Sequence, residues 1–262
     1  MRTFFAICGL NSGLTAGPRF AGATHFDLLN TPISLSTRLA WEGALDDKAL
    51  PPEVFSLPID PEAPLVVVDV DEVLAMFMRA FERFAQTRGL EMRITRYALF
   101  QNLYRLGAVD PVDMAAGREL FDDFFRFAVE DIDTAPGAVP GLAGLAAGAS
   151  IVILTNAPDH SREGRARWLV KSGFPYPMML NNGPKGPVVA ALAARTRGPV
   201  AFVDDLLSNL ESVAVEAPSV HRFQMVADTR LRPLAFGAPD RHRRIDDWPE
   251  MAPAIAATLR MA

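Results

Sequence analysis

The feature that most constrains the fold is a short apolar run that ends in two carboxylates. The run Leu65–Val68 contains three valines, and Asp69 and Asp71 follow it. A continuous apolar run of this length is typical of a strand that is buried on both faces of a sheet. Carboxylates are costly to bury without partners, so packing does not explain why they stand at the end of this run. The pattern therefore favours a functional site at the end of this strand.

Two further apolar runs, over 151–154 and 200–203, also end in polar residues. These polar residues are Thr155 and Asn156 after the first run, and Asp204 and Asp205 after the second. In open parallel sheets, ligands bind outside the carboxyl ends of the strands, where the strand order reverses. If the three strands lie side by side, their polar ends meet in one pocket. A hard cation with oxygen ligands, such as Mg²⁺, would offset the repulsion among the carboxylates.

Length and composition limit the class of protein. A chain of 262 residues can form one large domain, or a core with an inserted module. The net charge of −5 disfavours nucleic acid as a partner. The single cysteine, Cys8, cannot form an intramolecular disulfide, which favours a reducing, cytoplasmic location. No apolar run approaches the roughly 20 residues that span a bilayer, so we expect no membrane partner.

The first part of the chain carries the weakest signals. Residues 1–63 are expected to form an N-terminal extension, and the prolines over 51–64 predict an extended linker at its end. The apolar run over 4–8 is short, and Pro18 interrupts the chain soon after it, which disfavours a secretory signal.

The segment between the first and second strands has helical periodicity. The pattern predicts helices over 75–88, 97–106 and 111–128, and no strand signal interrupts them. Aromatic residues at helical spacing are assigned mainly to packing within this segment. Because the segment is too long for a simple crossover, residues 75–135 are predicted to form an inserted, small helical cap.

After residue 136 strands and helices alternate, which predicts an α/β fold with a Rossmann-like, doubly wound parallel sheet. The core would comprise residues 64–74 and 136–262. Beyond the strands already named, we predict strands over 178–181 and 221–226. The predicted helices lie near 142–147, 161–171, 187–195 and 208–215, and a last one begins at Pro249.

The spacing of Asp69 and Asp71 fits phosphoryl chemistry. In an extended chain, residues i and i+2 point the same way, so both carboxylates can flank one reacting centre. One can attack phosphorus and form an aspartyl-phosphate. The other can protonate the leaving oxygen and then activate water. Thr155 and Asn156 can hold a phosphoryl oxygen, although a threonine at such a turn also often satisfies local backbone groups.

Lys185 stands in a loop rich in glycine and proline, just before a predicted helix. Its ammonium group could neutralise both Asp69 and a phosphate, although a lone lysine is more commonly a solvated surface charge. Asp204 and Asp205 can reach a metal where the chain turns, with Asn209 placed to orient Asp205. The alternative, an aspartate that caps the next helix, fits one of the two aspartates but not both.

In combination, these motifs resemble those of the haloacid dehalogenase-like hydrolase superfamily, over roughly residues 64–226. Residues 69–73 resemble its first motif, 151–156 the second, Lys185 the third, and Asp204-Asp205 with Asn209 the fourth. The resemblance implies a nucleophilic Asp69, an acid/base Asp71, and Thr155 with Lys185 as phosphate-binding groups, beside the Asn156 amide already named as a substrate-binding candidate. It also implies Mg²⁺, held by Asp69, Asp71, Asp204, Asp205 and the backbone carbonyl of Val70. The predicted cap follows the first motif, as in that superfamily.

One position departs from the family pattern. Glu72 stands where the family often has glycine, so the turn after Asp71 could differ, and a carboxylate there could disfavour highly anionic substrates. The resemblance implies a Mg²⁺-dependent phosphatase that acts on a small phosphorylated metabolite.

Two alternatives stay open, a phosphomutase acting on a sugar phosphate and a non-catalytic binding protein with the same fold. Dehalogenase chemistry needs neither the second carboxylate nor a metal, so Asp71 counts against it. The arginines over 230–244 alternate with aspartates, which is typical of a solvated loop rather than a nucleic-acid surface.

Overall fold

The computed structural model describes residues 50–261, in which a six-stranded sheet and a separate two-stranded hairpin account for all the named strands. In chain order these are β1 Leu65–Val68, β2 Leu90–Met92, β3 Leu103–Arg105, β4 Ser150–Thr155, β5 Met178–Leu180, β6 Val200–Asp204, β7 His221–Gln224 and β8 Arg243–Arg244. The α-helices are α1 Phe77–Thr87, α2 Met114–Phe127, α3 Ala138–Ala146, α4 Arg162–Lys171, α5 Gly186–Ala193, α6 Leu207–Glu216 and α7 Trp248–Thr258.

The large sheet is parallel throughout, with the strand order β5-β4-β1-β6-β7-β8. Strand β1 lies at the centre and pairs with β4 on one side and β6 on the other. Val68 faces Ile153 and Val203 across these ladders, so the three predicted strands end at the same edge. The prediction of a Rossmann-like, doubly wound α/β fold is confirmed.

The segment between β1 and β4 is not entirely helical, so that part of the cap prediction is wrong. Helices α1 and α2 form, but β2 and β3 pair as an antiparallel hairpin between them. The predicted helix over 97–106 is replaced by a turn, a short 3-10 helix and β3. The reason is Asn102, whose buried side chain bonds the backbone of Thr95, Arg96 and Ala98 and competes with helical hydrogen bonds.

The proline-rich stretch before β1 is packed on the core, so the prediction of an extended linker is wrong for the described residues 50–64. A 3-10 helix forms over Pro52–Phe55, and Val54 is fully buried. Arg195 donates hydrogen bonds to the carbonyls of Val54 and Leu57, each at 2.6 Å. The predicted extension over residues 1–49 lies outside the described residues.

Hydrophobic clusters cover both faces of the sheet. One cluster joins a face of β1 to the inserted segment (residues 75–135), α3 and α7, and the other packs α5 and α6 on the opposite face. Within the inserted segment the rings of Phe77, Phe81, Phe124 and Phe125 pack together at centroid distances of 5.3–6.1 Å. These aromatic residues therefore form core, as the helical spacing predicted. Within residues 50–261, no helix combines the length and the apolar character needed to cross a bilayer.

A close helix contact fixes the start of α5, which follows Lys185. A Cβ added to Gly186 would lie 2.4 Å from Ser212 Oγ and 2.5 Å from the Ser212 backbone oxygen in α6. We expect Gly186→Ala to lower the free energy of unfolding by about 1–3 kcal/mol, because backbone atoms must shift. The matched control is Gly144→Ala in α3, where the added Cβ meets nothing within 4 Å.

The control substitution should raise the free energy of unfolding by up to about 1 kcal/mol, since alanine is the better helix former. Urea unfolding midpoints of the two variants measure both effects. Equal midpoints for the two variants would contradict the close contact of α5 with α6.

Candidate active site

A buried lysine joins two strand ends at the carboxyl edge of the sheet. Lys185 Nζ donates hydrogen bonds to Asp69 Oδ1 at 2.5 Å and to Asp204 Oδ2 at 2.7 Å. Lys185 is 1% exposed and Asp204 is fully buried, so each charge depends on the other for compensation. The structure thus brings together three residues that come from three separate sequence motifs.

The sheet register explains how the two aspartates meet. The Asp69 amide donates to the Val203 carbonyl at 2.9 Å, so pairing between β1 and β6 continues to the strand end. This pairing sets Asp69 beside Asp204, the last residue of β6. Lys185 is the residue before the first turn of α5, which its close contact with α6 holds in place. Backbone geometry therefore positions the charges before any ligand binds.

Three carboxylates form a compact buried group that could hold a metal ion. Among residues 50–261, Asp69, Asp204 and Asp205 each offer an oxygen within 4.8 Å of the other two. One ammonium group does not balance three carboxylates. Oxygen donors of this kind suit a hard divalent cation, which would supply the missing positive charge. The donor set therefore fits a metal site, and the assignment of these three residues as metal ligands stays a prediction.

Burial and mutual repulsion shift the ionisation of this group. Burial raises the pKa of Asp69 to about 7, against the lowering effect of Lys185. Burial and the Asp204 carboxylate hold the pKa of Asp205 well above its ordinary value. Burial alone would lower the pKa of Lys185, but Asp204 and Asp69 outweigh it and raise that pKa. The lysine therefore stays charged, while two of the carboxyl groups hold protons more tightly than usual.

Asp204 and Asp205 play different structural parts. Asp204 Oδ1 accepts from the Leu206 amide at 2.9 Å and from Asn209 Nδ2 at 3.0 Å. The prediction that Asn209 orients Asp205 is therefore wrong, because Asp204 is the residue that turns toward the start of α6. Asp205 instead accepts a hydrogen bond from the Tyr97 hydroxyl group, through Oδ2. Tyr97 belongs to the inserted segment, so this bond links that segment to the strand ends.

Asp71 pairs with an arginine rather than with the clustered carboxylates. Arg165 Nη2 lies 2.8 Å and 3.0 Å from the two Asp71 oxygens. The Arg165 side chain is fully buried, and its guanidinium group lies 5.1 Å from the Phe125 ring centroid. Burial raises the pKa of Asp71 although Arg165 opposes the shift. Asp71 is therefore not part of the carboxylate group formed by Asp69, Asp204 and Asp205.

The backbone carbonyl of Val70 is already engaged. It accepts hydrogen bonds from the amides of Val73, Leu74 and Ala75 at 3.2, 2.8 and 2.9 Å. These bonds close the turn that leads to α1. The role of this carbonyl as a metal ligand stays a prediction, and in this structure its lone pairs face amide donors.

The end of β4 places its two polar residues differently. Asn156 lines the cavity beside Asp69, donates to the Gly183 carbonyl at 3.0 Å and accepts from Asn181 Nδ2 at 2.8 Å. Thr155 is fully buried and does not line the cavity, and its hydroxyl group has no hydrogen-bond partner within residues 50–261. The role of Thr155 as a phosphate donor stays a prediction.

Glu72 acts as a structural clamp rather than as a group at the pocket mouth. It is 3% exposed and adopts φ 59°, the left-handed conformation that glycine would take most easily. Its carboxylate accepts from the Met78 amide at 2.8 Å and from the Asp228 amide at 3.0 Å. The suggestion that it repels anionic substrates is therefore wrong, since both oxygens face backbone donors.

A cavity of about 350 Å³ opens above the carboxylate group. Its floor includes Asp69, Asp71, Lys185 and Asp205, so the candidate nucleophile and acid face the same space. The opposite wall comes from the inserted segment and is largely apolar, with Phe77, Leu99, Phe100 and Phe121, beside the charged Arg118 and Asp122. The cavity is of a size that suits a small ligand.

Arg165 and Tyr97 were not found from the sequence. Arg165 lies among several arginines in 162–167, where the pattern indicates a solvated helix face. Tyr97 lies in a stretch whose helical interpretation was wrong. A single aromatic or basic residue carries no sequence signal for a contact made about a hundred positions away.

No family model matches the sequence, and no curated protein matches it. Similar solved structures do exist. A haloacid dehalogenase-like family hydrolase from Xanthomonas campestris has a TM-score of 0.50 at 16% identity, over 78% of this chain and 97% of that chain.

Two more structures agree with this likeness. A predicted phosphatase from Clostridium acetobutylicum has a TM-score of 0.50 at 12% identity, over 75% of this chain and 99% of that chain. A haloacid dehalogenase-like family hydrolase from Streptococcus pneumoniae has a TM-score of 0.50 at 9% identity, over 74% of this chain and 99% of that chain. The chain therefore has the fold of the haloacid dehalogenase-like hydrolases.

The raised pKa values generate a prediction about cation binding. Asp69 and Asp205 must lose their protons to bind a metal, so cation and protons compete. With Mg²⁺ as the probe, we expect affinity to rise with pH through about 7 and protons to be released on binding at pH 6.5. Titration calorimetry in buffers of different ionisation enthalpy measures this release. Proton uptake, or an affinity that falls as the pH rises, would contradict the assignment.

Proposed function

We propose that this chain is a Mg²⁺-dependent phosphatase that hydrolyses a small phosphomonoester through an aspartyl-phosphate on Asp69. The observation that carries the proposal is the buried Lys185 between Asp69 and Asp204, at the floor of the cavity. An ammonium group in this position can neutralise both the nucleophile and the phosphoryl oxygens that approach it. Catalysis of phosphoryl transfer rests mainly on such positioning and charge compensation.

Asp69 is the proposed nucleophile because one of its oxygens is fixed and its side chain lines the cavity. Oδ1 bonds Lys185, which leaves Oδ2 to attack phosphorus. The new Oδ2–P bond forms as the bond from phosphorus to the leaving oxygen breaks. Asp71 gives its proton to that oxygen, and the alcohol departs. Water then attacks phosphorus, Asp71 takes a proton from it, and the Asp69–phosphate bond breaks to release phosphate.

Arg165 is the proposed positioning residue for Asp71. Because Nη2 contacts both Asp71 oxygens, the carboxyl group is held where it faces the cavity. The buried arginine also lowers the pKa of Asp71 against the effect of burial. A group that acts first as an acid and then as a base works best with a pKa near the operating pH. Burial, which raises the pKa of Asp71, and Arg165, which lowers it, therefore suit this role together.

Asp69, Asp204 and Asp205 are the residues proposed to hold Mg²⁺, which when bound would neutralise charge on the phosphoryl oxygens. Asn156 lines the cavity and is proposed to hold one of these oxygens. The Thr155 hydroxyl group, buried nearby, is proposed as a further donor. Together with Lys185 these groups would surround the phosphate from the core side.

Substrate selection is proposed to lie in the inserted segment, which we interpret as the cap of this fold. Phe77, Phe100 and Phe121 form an apolar wall opposite the carboxylates. A volume of about 350 Å³ suits one small phosphorylated metabolite rather than a polymer. The net charge of −5 also disfavours nucleic acid as a substrate.

The first test is removal of the nucleophile. We expect Asp69→Asn to lower Mg²⁺-dependent hydrolysis of an aryl phosphate by at least roughly 10³-fold while the fold stays intact, because the amide cannot form the aspartyl-phosphate. Phosphate release and the unfolding midpoint are measured together. The matched control is Asp110→Asn, an exposed aspartate between β3 and α2 that does not line the cavity.

Undiminished turnover in Asp69→Asn, with Asp110→Asn also active, would refute the mechanism. The same assay separates the phosphomutase alternative. A sugar phosphate that is converted into an isomer, with no free phosphate released, would assign the chain to that class instead. A chain that hydrolyses nothing in a broad panel, with Mg²⁺ present, would favour the non-catalytic alternative.

The second test concerns Arg165. We expect Arg165→Met to lower kcat by about 10- to 100-fold, as a lost positioning contact typically does. The alkaline limb of the pH–rate profile should move to higher pH, because the arginine lowers the pKa of Asp71 and its loss raises that pKa. The control is Arg167→Met, an exposed residue two positions away that bonds Glu130 outside the cavity. If the alkaline limb moved to lower pH in Arg165→Met, the proposed effect of Arg165 on the pKa of Asp71 would be contradicted.

A further inference from the structure

A preformed turn in the inserted segment presents Tyr97 to the core. We name residues 95–98 the Tyr97 loop. The fully buried Asn102 holds this loop, because Oδ1 accepts from the Thr95 amide at 3.1 Å and Nδ2 donates to the carbonyls of Arg96 and Ala98 at 2.9 and 2.7 Å. Three hydrogen bonds to backbone groups around one tyrosine fix the direction in which that tyrosine points.

The Tyr97 hydroxyl group ends at the candidate cation site. It donates to Asp205 Oδ2, and Tyr97 itself is 5% exposed. Asp205 is one of the three clustered carboxylates, and it lines the cavity. A hydrogen bond to one oxygen of the Asp205 carboxylate fixes the orientation of the group and leaves the other oxygen to bind a cation. Residues that hydrogen-bond to metal ligands commonly orient the ligands in this way.

The position of the Tyr97 loop also decides the shape of the cavity. Leu99 and Phe100 follow the loop directly, and both form part of the cavity wall. When Tyr97 contacts Asp205, these two side chains line the same cavity as Asp69. If the loop moved away from Asp205, the wall would move with it.

Helix α1, by contrast, is bound to the core at several points. Glu72 joins the Met78 amide in α1 to the Asp228 amide in the core. Arg230 Nη1 also bonds Glu82 of α1 at 2.6 Å. Opening of the cavity by movement of α1 would break these bonds together. The Tyr97 loop is therefore the better candidate for the part of the wall that moves.

We propose that Tyr97 is a positioning residue that couples closure of the Tyr97 loop to cation binding at Asp205. The inference rests on the cation site of the proposed function. The hydroxyl group orients Asp205 for the cation, and the cation in turn favours the closed loop. Because coupling between two equilibria is reciprocal, each event must favour the other by the same factor.

The test compares Tyr97→Phe with the wild-type chain, using Mg²⁺ alone as the probe. We expect the variant to bind Mg²⁺ about 10-fold more weakly, the lower end of the effect of losing an outer partner. In wild type, saturating Mg²⁺ should slow amide hydrogen exchange over residues 95–102 by about the same factor, and in Tyr97→Phe this slowing should be absent. The matched control is Tyr104→Phe on β3 of the same hairpin, which should behave like wild type.

The possible results distinguish the coupling through Tyr97 from the cation site itself. Equal Mg²⁺ affinity in wild type and Tyr97→Phe would overturn the coupling and leave the cation site in place. The same conclusion would follow if Mg²⁺ did not change the rate of amide hydrogen exchange over residues 95–102 in wild type. No Mg²⁺ binding by wild type would overturn the cation site of the proposed function and the coupling with it. Unfolding midpoints of both variants confirm that each is folded, so a change in affinity is not a loss of structure.

Discussion

The charge balance around Lys185 is the constraint on which the site depends. A buried ammonium group and three nearby carboxylates are each unfavourable in an apolar interior, and they are tolerable only together. The lysine contacts two carboxylates, and the third is bonded by Tyr97. An excess of negative charge remains, and it adds to the larger effect of burial in raising the pKa of Asp69 and Asp205. A divalent cation is the ligand whose charge would complete this balance and let the site accept an anionic phosphate.

The backbone makes this arrangement possible. Parallel pairing of β1 with β6 sets Asp69 beside Asp204, and the contact of α5 with α6 sets Lys185 above them. The inserted segment lies over these charged residues, and its apolar side chains limit the access of water to them. Fixed charges that are buried have stronger effects than the same charges in water. The fold thus supplies both the placement and the environment for the phosphoryl transfer that we propose.

Part of this could be predicted from the sequence, because strand ends carry local signals. The apolar runs before Asp69, Thr155 and Asp204 were enough to place three motifs at one edge of a parallel sheet. The hairpin could not be predicted, since one buried side chain, Asn102, decides it through contacts with the folded loop. Partners such as Arg165 and Tyr97 were missed because tertiary structure, not spacing along the chain, brings them to Asp71 and Asp205.

The central claim is that Asp69, held by Lys185, becomes covalently phosphorylated. The most direct measurement is rapid acid quench of a turnover mixture, followed by peptide mapping of the phosphoryl group by mass spectrometry. The account predicts an acid-stable, base-labile phosphoryl adduct on the peptide that contains Asp69, which appears and decays at the rate of turnover. Turnover that proceeds with no adduct, or with the adduct on another residue, would contradict it.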